Sequence, residues 1–339
     1  RPELAVLLAY AKAFIKTRLA GTSLCRDPVA TRFAAMEFPV GFAERYGDRL
    51  PEHYVHDAIV ATLIGNDLVH HMGVTFVSHL QEYTGATPEE VVRSWLIVRE
   101  VFAIDELFRR IEALPPEVPT TVRLDMMRLG RRACRWFLRH RRGRLDPQDQ
   151  AAFFGPSVAV LRERWVGSLD PESIAVAGGR QQELLAAGVP EDLAAVAAES
   201  GNQVASLAII EVANVSDRDV GETGERYAEV ARRLRLDLLA EIIARFEPGS
   251  LWQAMERDAL LDDLITFTGT LCLHLIQPGA EDLAAWLGQR PEFEGAWSRI
   301  CEDVMRDLPA GESTLPRPAG DFSMYAMAVR KLGDLLRAL

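Results

Sequence analysis

The sequence predicts an all-α fold, a multi-helix array of roughly a dozen helices with no substantial sheet. Three observations carry this expectation. Apolar residues recur at three- and four-residue steps along nearly all 339 residues, the spacing that lines one face of a 3.6-residue helix. Helix starts are marked at Asp27-Pro28, Thr87-Pro88, Asp146-Pro147 and Asp170-Pro171, where a capping side chain precedes a proline whose missing N–H costs nothing at the first helical position. Strand-like sequence is scarce: "VTFV" (74–77) is four residues long and runs straight into the helical "SHLQEYTG".

Taken in order, "RPELAVLLAYAKAFIK" places Leu4, Leu7, Leu8, Ala11, Phe14 and Ile15 on one helical face, and Gly21 offers an exit because glycine tolerates left-handed backbone. A helix is expected from Pro51 to Met72, stopped by Gly73, with His53 and His56 one turn apart on a shared face. The next helix ends at Gly85. Thr87-Pro88 then opens another, whose Glu89 and Glu90 suit the positive end of the helix dipole. "VRLDMMRLGRRACRWFLRHRRGR" reads as one amphipathic helix with Leu124, Met127, Ala133, Trp136 and Phe137 on its apolar side. The stretch "RHRRGRLDPQDQ" (139–150) is the best boundary, giving an N-terminal helical subdomain over 1–145 and a C-terminal one over 146–339. In the second, Gly188 is a stop, and the alanine-rich lead-in "EDLAAVAAESGN" favours a helix for "VASLAIIEVANV" (204–215) despite its β-branched residues. Asp262-Asp263 sits beside a leucine-rich helix and reads as a solvated stripe. "PAGESTLPRPAG" (309–320) is a loop before a last helix from about Asp321 to Leu339. No repeat period appears.

Composition narrows the function classes. The chain is 48% hydrophobic and 26% charged with a net charge of −11; with a pI near 5.2 it argues against a general nucleic-acid or anionic-membrane binder. No run of 18 apolar residues is present, so no membrane span is expected. Cys25, Cys134, Cys272 and Cys301 are scattered without a CxxC pair and read as reduced core thiols, which with no secretory signal points to the cytoplasm. The opening Arg-Pro, without an initiator Met, looks like the start of a piece cut from something longer.

Two features offer chemistry. Five of seven histidines lie between His53 and His79. His56-Asp57 matches the "HD" doublet of metal-dependent phosphohydrolases, a plausible pair for a divalent ion and its water, yet it lacks further ligands at a recognisable spacing. His70 stands 14 residues beyond His56, about 21 Å along one helix, so one ion cannot bridge them. No HExxH or Cys/His zinc spacing occurs. The second feature is basic: nine arginines fall between Arg123 and Arg144, opposed only by Asp125. Acidic segments of the same chain can neutralise them; a sharper expectation has this helix docking, through Arg131, Arg132 and Arg135, on an acidic surface of the same polypeptide or a neighbouring subunit. A GxGxxG after a strand, a P-loop and a GxSxG elbow are all missing, and "AGGRQ" (177–181) has no preceding strand to make it a phosphate cradle.

"RPELAVLLAYAK" (1–12), "NDLVHHMGVTFVSHLQEYTGATPEEVVRSWLIVREVF" (66–102), "RRACRWFLRH" (131–140), "LWQAMERDALLDDL" (251–264) and "MYAMAVRKLGDLLRAL" (324–339) together resemble the C-terminal region of the large bacterial NAD-specific glutamate dehydrogenases. The resemblance spans essentially the whole chain. It implies a helical region following a catalytic portion, with the catalytic Lys and Asp and the dinucleotide glycines upstream of these residues. It also implies NAD as the cofactor of the parent enzyme, with the catalytic and N-terminal regions of the same polypeptide, and further subunits, as partners. No catalytic, cofactor-binding or metal-binding residue is expected within the 339 residues themselves. One departure stands out: the family typically reads Asn-Arg where this chain has His70-His71. The alternatives are a phosphohydrolase built on His56 and Asp57 and a free-standing helical scaffold.

Overall fold

The computed structural model describes residues 2–35, 38–168, 171–246, 248–277, 282–306 and 322–337. Among them the regular structure is helical throughout and no strand occurs. The chain divides into two compact units, one of Arg1–Leu114 with Arg123–Pro156, the other of Pro115–Val122 with Ser157–Leu339.

In the first stretch of chain the helices are α1 (Pro2–Leu19), α2 (Pro28–Ala35), α3 (Val40–Tyr46), α4 (His56–Met72), α5 (Phe76–Thr84), α6 (Pro88–Phe102), α7 (Ile104–Glu112), α8 (Thr120–Met126), α9 (Arg128–His140) and α10 (Pro147–Ser168). The helices outnumber the expected dozen because several expected runs break. The basic stretch is not one helix: it divides at Met127 and again at Arg141, leaving α8, α9 and a 3-10 turn over Arg142–Arg144. The helix expected from Pro51 begins only at His56, after a 3-10 segment over Gly47–Glu52 that holds Pro51. Proline cannot donate to the preceding turn, which suits it to that tighter segment.

The proline-marked starts stand where the sequence puts them. Asp27 Oδ1 accepts from the Val29 N–H at 2.8 Å, and Asp146 Oδ1 from the Asp149 N–H at 2.9 Å. Thr87 and Glu90 form a reciprocal capping box, with the Glu90 N–H on Thr87 Oγ1 and the Thr87 N–H on Glu90 Oε2. Asp170 lies outside the described residues, but α11 begins at Pro171 as expected. Gly85, at φ 67°, ends α5 in left-handed backbone, its N–H on the Gln81 carbonyl.

The core of the first unit forms where α4 meets α1 and α2 and where α6 meets α5, α7 and α9. Trp95 of α6 is fully buried at its centre, beside Phe76 and Phe108. Gly130 lets α9 approach that indole, since a Cβ there would stand 3.2 Å from Trp95 Cζ3. The apolar face of α1 is covered only in its C-terminal half: Ile15 and Leu19 are buried, whereas Leu4 is 52% and Leu7 54% exposed, joined by Val6 and Tyr10.

The second unit carries α11 (Pro171–Ala186), α12 (Glu191–Gln203), α13 (Ala205–Ser216), α14 (Val220–Arg233), α15 (Leu236–Arg245), α16 (Leu251–Ile276), α17 (Leu283–Gly288), α18 (Pro291–Arg306) and α19 (Phe322–Leu336). The segment "VASLAIIEVANV" is helical in α13, and "AGGRQ" lies inside α11, so it is no loop at all. Helix α16 packs against α13, α14, α15 and α19. Over Trp252–Ile276 it is long and apolar enough to cross a membrane, with mean hydropathy 1.5, but more than half of that stretch is buried inside the protein, as befits a core helix. Asp262 on α16 is only 1% exposed, which corrects the reading of Asp262-Asp263 as a solvated stripe: at this position the stripe turns inward. The loop expected at 309–320 lies outside the described residues.

Candidate functional site

His56 and Asp57 open α4. His56 is buried, its Nδ1 3.1 Å from Asp57 Oδ1, and Arg26 approaches Asp57 from the far side at 3.8 Å. His53 caps the preceding 3-10 segment and does not share a helix with His56. Among the described residues no third imidazole, thiol or carboxylate joins the doublet in a metal-capable group.

The other histidines behave differently. His70 and His71 occupy the last turn of α4, and Glu112 is the last residue of α7. Helix α7 brings that carboxylate across 42 residues of chain, so that Glu112 Oε1 stands 3.0 Å from His70 Nε2 and 3.4 Å from His71 Nε2. Behind them lies a buried support. His71 Nδ1 faces Asp67 Oδ1 at 3.2 Å, an ion-pair contact rather than an aligned hydrogen bond. Asp67 Oδ2 accepts from Trp95 Nε1 at 3.0 Å and from Arg99 Nη1 at 2.8 Å. Arg99 turns its other edge to Asp105 with two bonds of 2.8 and 2.7 Å and stacks over Phe33.

This arrangement sets the electrostatics. Burial pushes the Asp67 carboxyl up, but the His71 imidazole, the Arg99 guanidinium and the Trp95 N–H outweigh it, and its pKa is lowered. Burial pulls His71 down, but Asp67 and Glu112 outweigh it, and its pKa is raised. In chemical terms the cluster offers two imidazole nitrogens and one carboxylate oxygen, mutually within 4.8 Å.

Several arginines of the basic stretch make contacts within the first unit itself. Arg123 donates to the Ile111 and Leu114 carbonyls at 3.0 and 2.9 Å, satisfying groups at the end of α7. Arg131 stacks over Phe76 and Arg141 over Phe153 and Phe154. Arg142 donates to the Gly85 carbonyl and to Glu90. Arg135 is 2% exposed and lies over Tyr83. The expected docking role of Arg131, Arg132 and Arg135 is therefore corrected at Arg135, whose guanidinium is a core group.

The four thiols are free, three of them buried. Burial raises Cys25 and Cys301 to about 11 and Cys134 and Cys272 to about 12, so none has the lowered pKa of a nucleophile.

Comparison with known proteins matches the family model described as "Glutamate dehydrogenase, C-terminal" over residues 1–334. The chain belongs to this family. An NAD-specific glutamate dehydrogenase of Halomonas elongata is 36% identical over 344 residues, covering 98% of this chain and 21% of the relative. That of Pseudomonas aeruginosa is 35% identical over 348 residues, covering 100% and 21%, and that of Mycobacterium tuberculosis 30% identical over 280 residues, covering 82% and 17%. The chain thus spans about a fifth of the length of these relatives. The family is the one that the quoted segments resemble.

Proposed function

We propose that the chain is the non-catalytic, C-terminal helical region of an NAD-dependent glutamate dehydrogenase, a cytoplasmic enzyme whose full-length chain oxidatively deaminates L-glutamate to 2-oxoglutarate and ammonium. The observation that carries this reading is the match of nearly the whole chain to the C-terminal family model while only a fifth of each relative is covered. The absence of any strand among the described residues supports it, because a dinucleotide fold needs a parallel sheet with its glycine turn at a strand end. On this reading NAD binds elsewhere in the polypeptide, and the two subdomains, 1–145 and 146–339, hold no catalytic or cofactor-binding residue.

The region's work is packing and assembly, and its partners are the catalytic and N-terminal regions of the same polypeptide within a homo-oligomer. The exposed half of α1 supports this. Leu4, Val6, Leu7 and Tyr10 are all more than half exposed, and at about 100° per residue they lie on one broad side of the helix. Such an apolar face is ordinarily covered by another element. The remaining four-fifths of a relative's length supplies a surface to cover it.

Two measurements test the proposal. The 339-residue chain alone is expected to reduce no NAD in the presence of L-glutamate and to bind no NAD by calorimetry; glutamate-dependent NADH formation overturns the reading. Mixed with the remainder of the Pseudomonas aeruginosa relative, the chain is expected to co-elute with it, and Leu7→Glu with Tyr10→Glu is expected to abolish that co-elution. Co-elution unaffected by both changes overturns the role of α1.

A further inference from the structure

We propose that His70, His71 and Glu112 form a binding site for a divalent transition-metal ion of the zinc class, a clasp joining the C-terminal ends of α4 and α7. No spacing along the chain announces it, because the third ligand lies 42 residues from His70.

Geometry is the first argument. Two donors each about 2.1 Å from a tetrahedral zinc stand about 3.4 Å apart. Glu112 Oε1 is 3.0 Å from His70 Nε2 and 3.4 Å from His71 Nε2, and all three donor atoms lie within 4.8 Å of one another. His70 is 66% and Glu112 45% exposed, so their side chains are free to close the small remaining gap. Two imidazoles and one carboxylate are a donor set suited to zinc, and three protein ligands with solvent beside them leave a fourth position for water.

The support behind the ligands is the second argument. In protein zinc sites a ligating imidazole commonly turns its other nitrogen to a carboxylate, which fixes the ring and raises its basicity. Here His71 binds through Nε2 and presents Nδ1 to Asp67 at 3.2 Å. Asp67 is itself held by Trp95 Nε1 and Arg99, and the His71 ring packs against Phe108 with centroids 5.1 Å apart. The half-buried ligand is thus pre-positioned, while the two exposed ligands complete the set.

Charge is the third. Asp67 and Asp105 share Arg99, and Glu112 stands against the two imidazoles, so the cluster offers carboxylate charge to a divalent cation. Glu112 also ends α7, and His70 and His71 end α4. A carboxylate at the negative end of a helix is unfavourable by itself and is relieved by an adjacent cation.

The test is zinc titration of the metal-free chain by calorimetry in a non-chelating buffer, with cobalt(II) absorption as the spectroscopic readout. We expect one zinc per chain, a rise of a few degrees in Tm at saturation, and a cobalt spectrum of four- or five-coordinate form. His70→Ala and Glu112→Gln, both at exposed positions that leave the helices intact by circular dichroism, are each expected to weaken binding at least tenfold, and Asp67→Asn to weaken it on the order of 10–100-fold. His53→Ala, at an exposed histidine outside the cluster, should change nothing. Absence of binding at 100 μM zinc, or binding that survives both His70→Ala and Glu112→Gln, overturns the proposal.

Discussion

Arg99 makes its shortest contacts to Asp105, yet the structure assigns the larger energy to its contact with Asp67, and the difference is measurable. By distance alone the bidentate pair with Asp105, at 2.7 and 2.8 Å, looks the stronger. Burial reverses the order. Asp105 is 62% exposed, whereas Asp67 is 16% and Arg99 itself 9% exposed. A unit-charge pair at 4 Å is worth about 1 kcal/mol in bulk water and about 4 kcal/mol at the effective dielectric of a protein site. Exposed pairs deliver about 0.2–1 kcal/mol in double-mutant cycles. Removing one partner of a buried pair costs about 3–5 kcal/mol, largely through the charge left behind. A double-mutant cycle between Arg99→Met and Asp67→Asn is therefore expected to give a coupling of about 2–3 kcal/mol, against at most about 1 kcal/mol for Arg99→Met with Asp105→Asn. Hydrogen exchange of the α4 and α6 amides is the assay, because it reads the stability of this unit separately from the second one. A cycle in which Asp105 couples to Arg99 as strongly as Asp67 does would refute the argument from burial.

Further expectations concern other parts of the fold. Glu90 has its pKa lowered, chiefly by the Arg142 hydrogen bond and then by its capping bonds with Thr87. A lowered carboxylate contributes stability above its unfolded pKa and loses it as pH falls through the folded one. Glu90→Gln is thus expected to cost about 1 kcal/mol at pH 7, and thermal melts of the two proteins should converge only as pH falls below the ordinary carboxylate range, where wild-type Glu90 protonates. Gly130→Val is expected to destabilise by about 2 kcal/mol in urea titration, because its side chain would press on Trp95 Cζ3, already 3.2 Å from a Cβ at that site, and Trp95 is fully buried with its N–H held by Asp67. The three buried thiols, Cys25 raised to about 11 and Cys134 and Cys272 to about 12, should react with a disulfide reagent at pH 8 only after unfolding; rapid reaction of Cys134 or Cys272 in the native chain would contradict their burial.

How much of this was legible in the sequence depends on how local the cause was. Helix entries were: Asp27, Thr87 and Asp146 each cap through a bond to an N–H two or three residues on, and such bonds are written in the local sequence. Glycine exits were too, since Gly21, Gly73, Gly85 and Gly188 all have positive φ. Where a non-glycine residue takes that backbone, at Ala103, Asp217 and Arg235, the sequence is less telling: only the aspartate belongs to a type that favours it. The same limit applies at α1, where periodicity put Leu4 and Leu7 on one face with Ile15 but could not say that this unit covers only the C-terminal half of the helix.

The basic stretch and the histidine pair show the two directions in which charge misleads when read along the chain. Nine arginines in one segment suggested a face awaiting a partner, yet guanidinium groups are flat and weakly hydrated enough to lie on aromatic rings and to cap carbonyls. Arg135, Arg131, Arg141 and Arg123 do this within their own unit. Part of what looked like a surface property is packing, most fully at Arg135, which is 2% exposed. His70 and His71 err the opposite way. At i and i+1 on a helix they point 100° apart, so spacing within α4 gives no reason for both to reach one ion. Glu112 supplies that reason, because a carboxylate at the end of another helix stands where the two diverging rings are both in reach. Asp67, one turn before His71, then appears as the carboxylate that orients it. A ligand set split between two helix ends has no sequence spacing to recognise; it is found by asking which carboxylate the folded chain brings to the histidines.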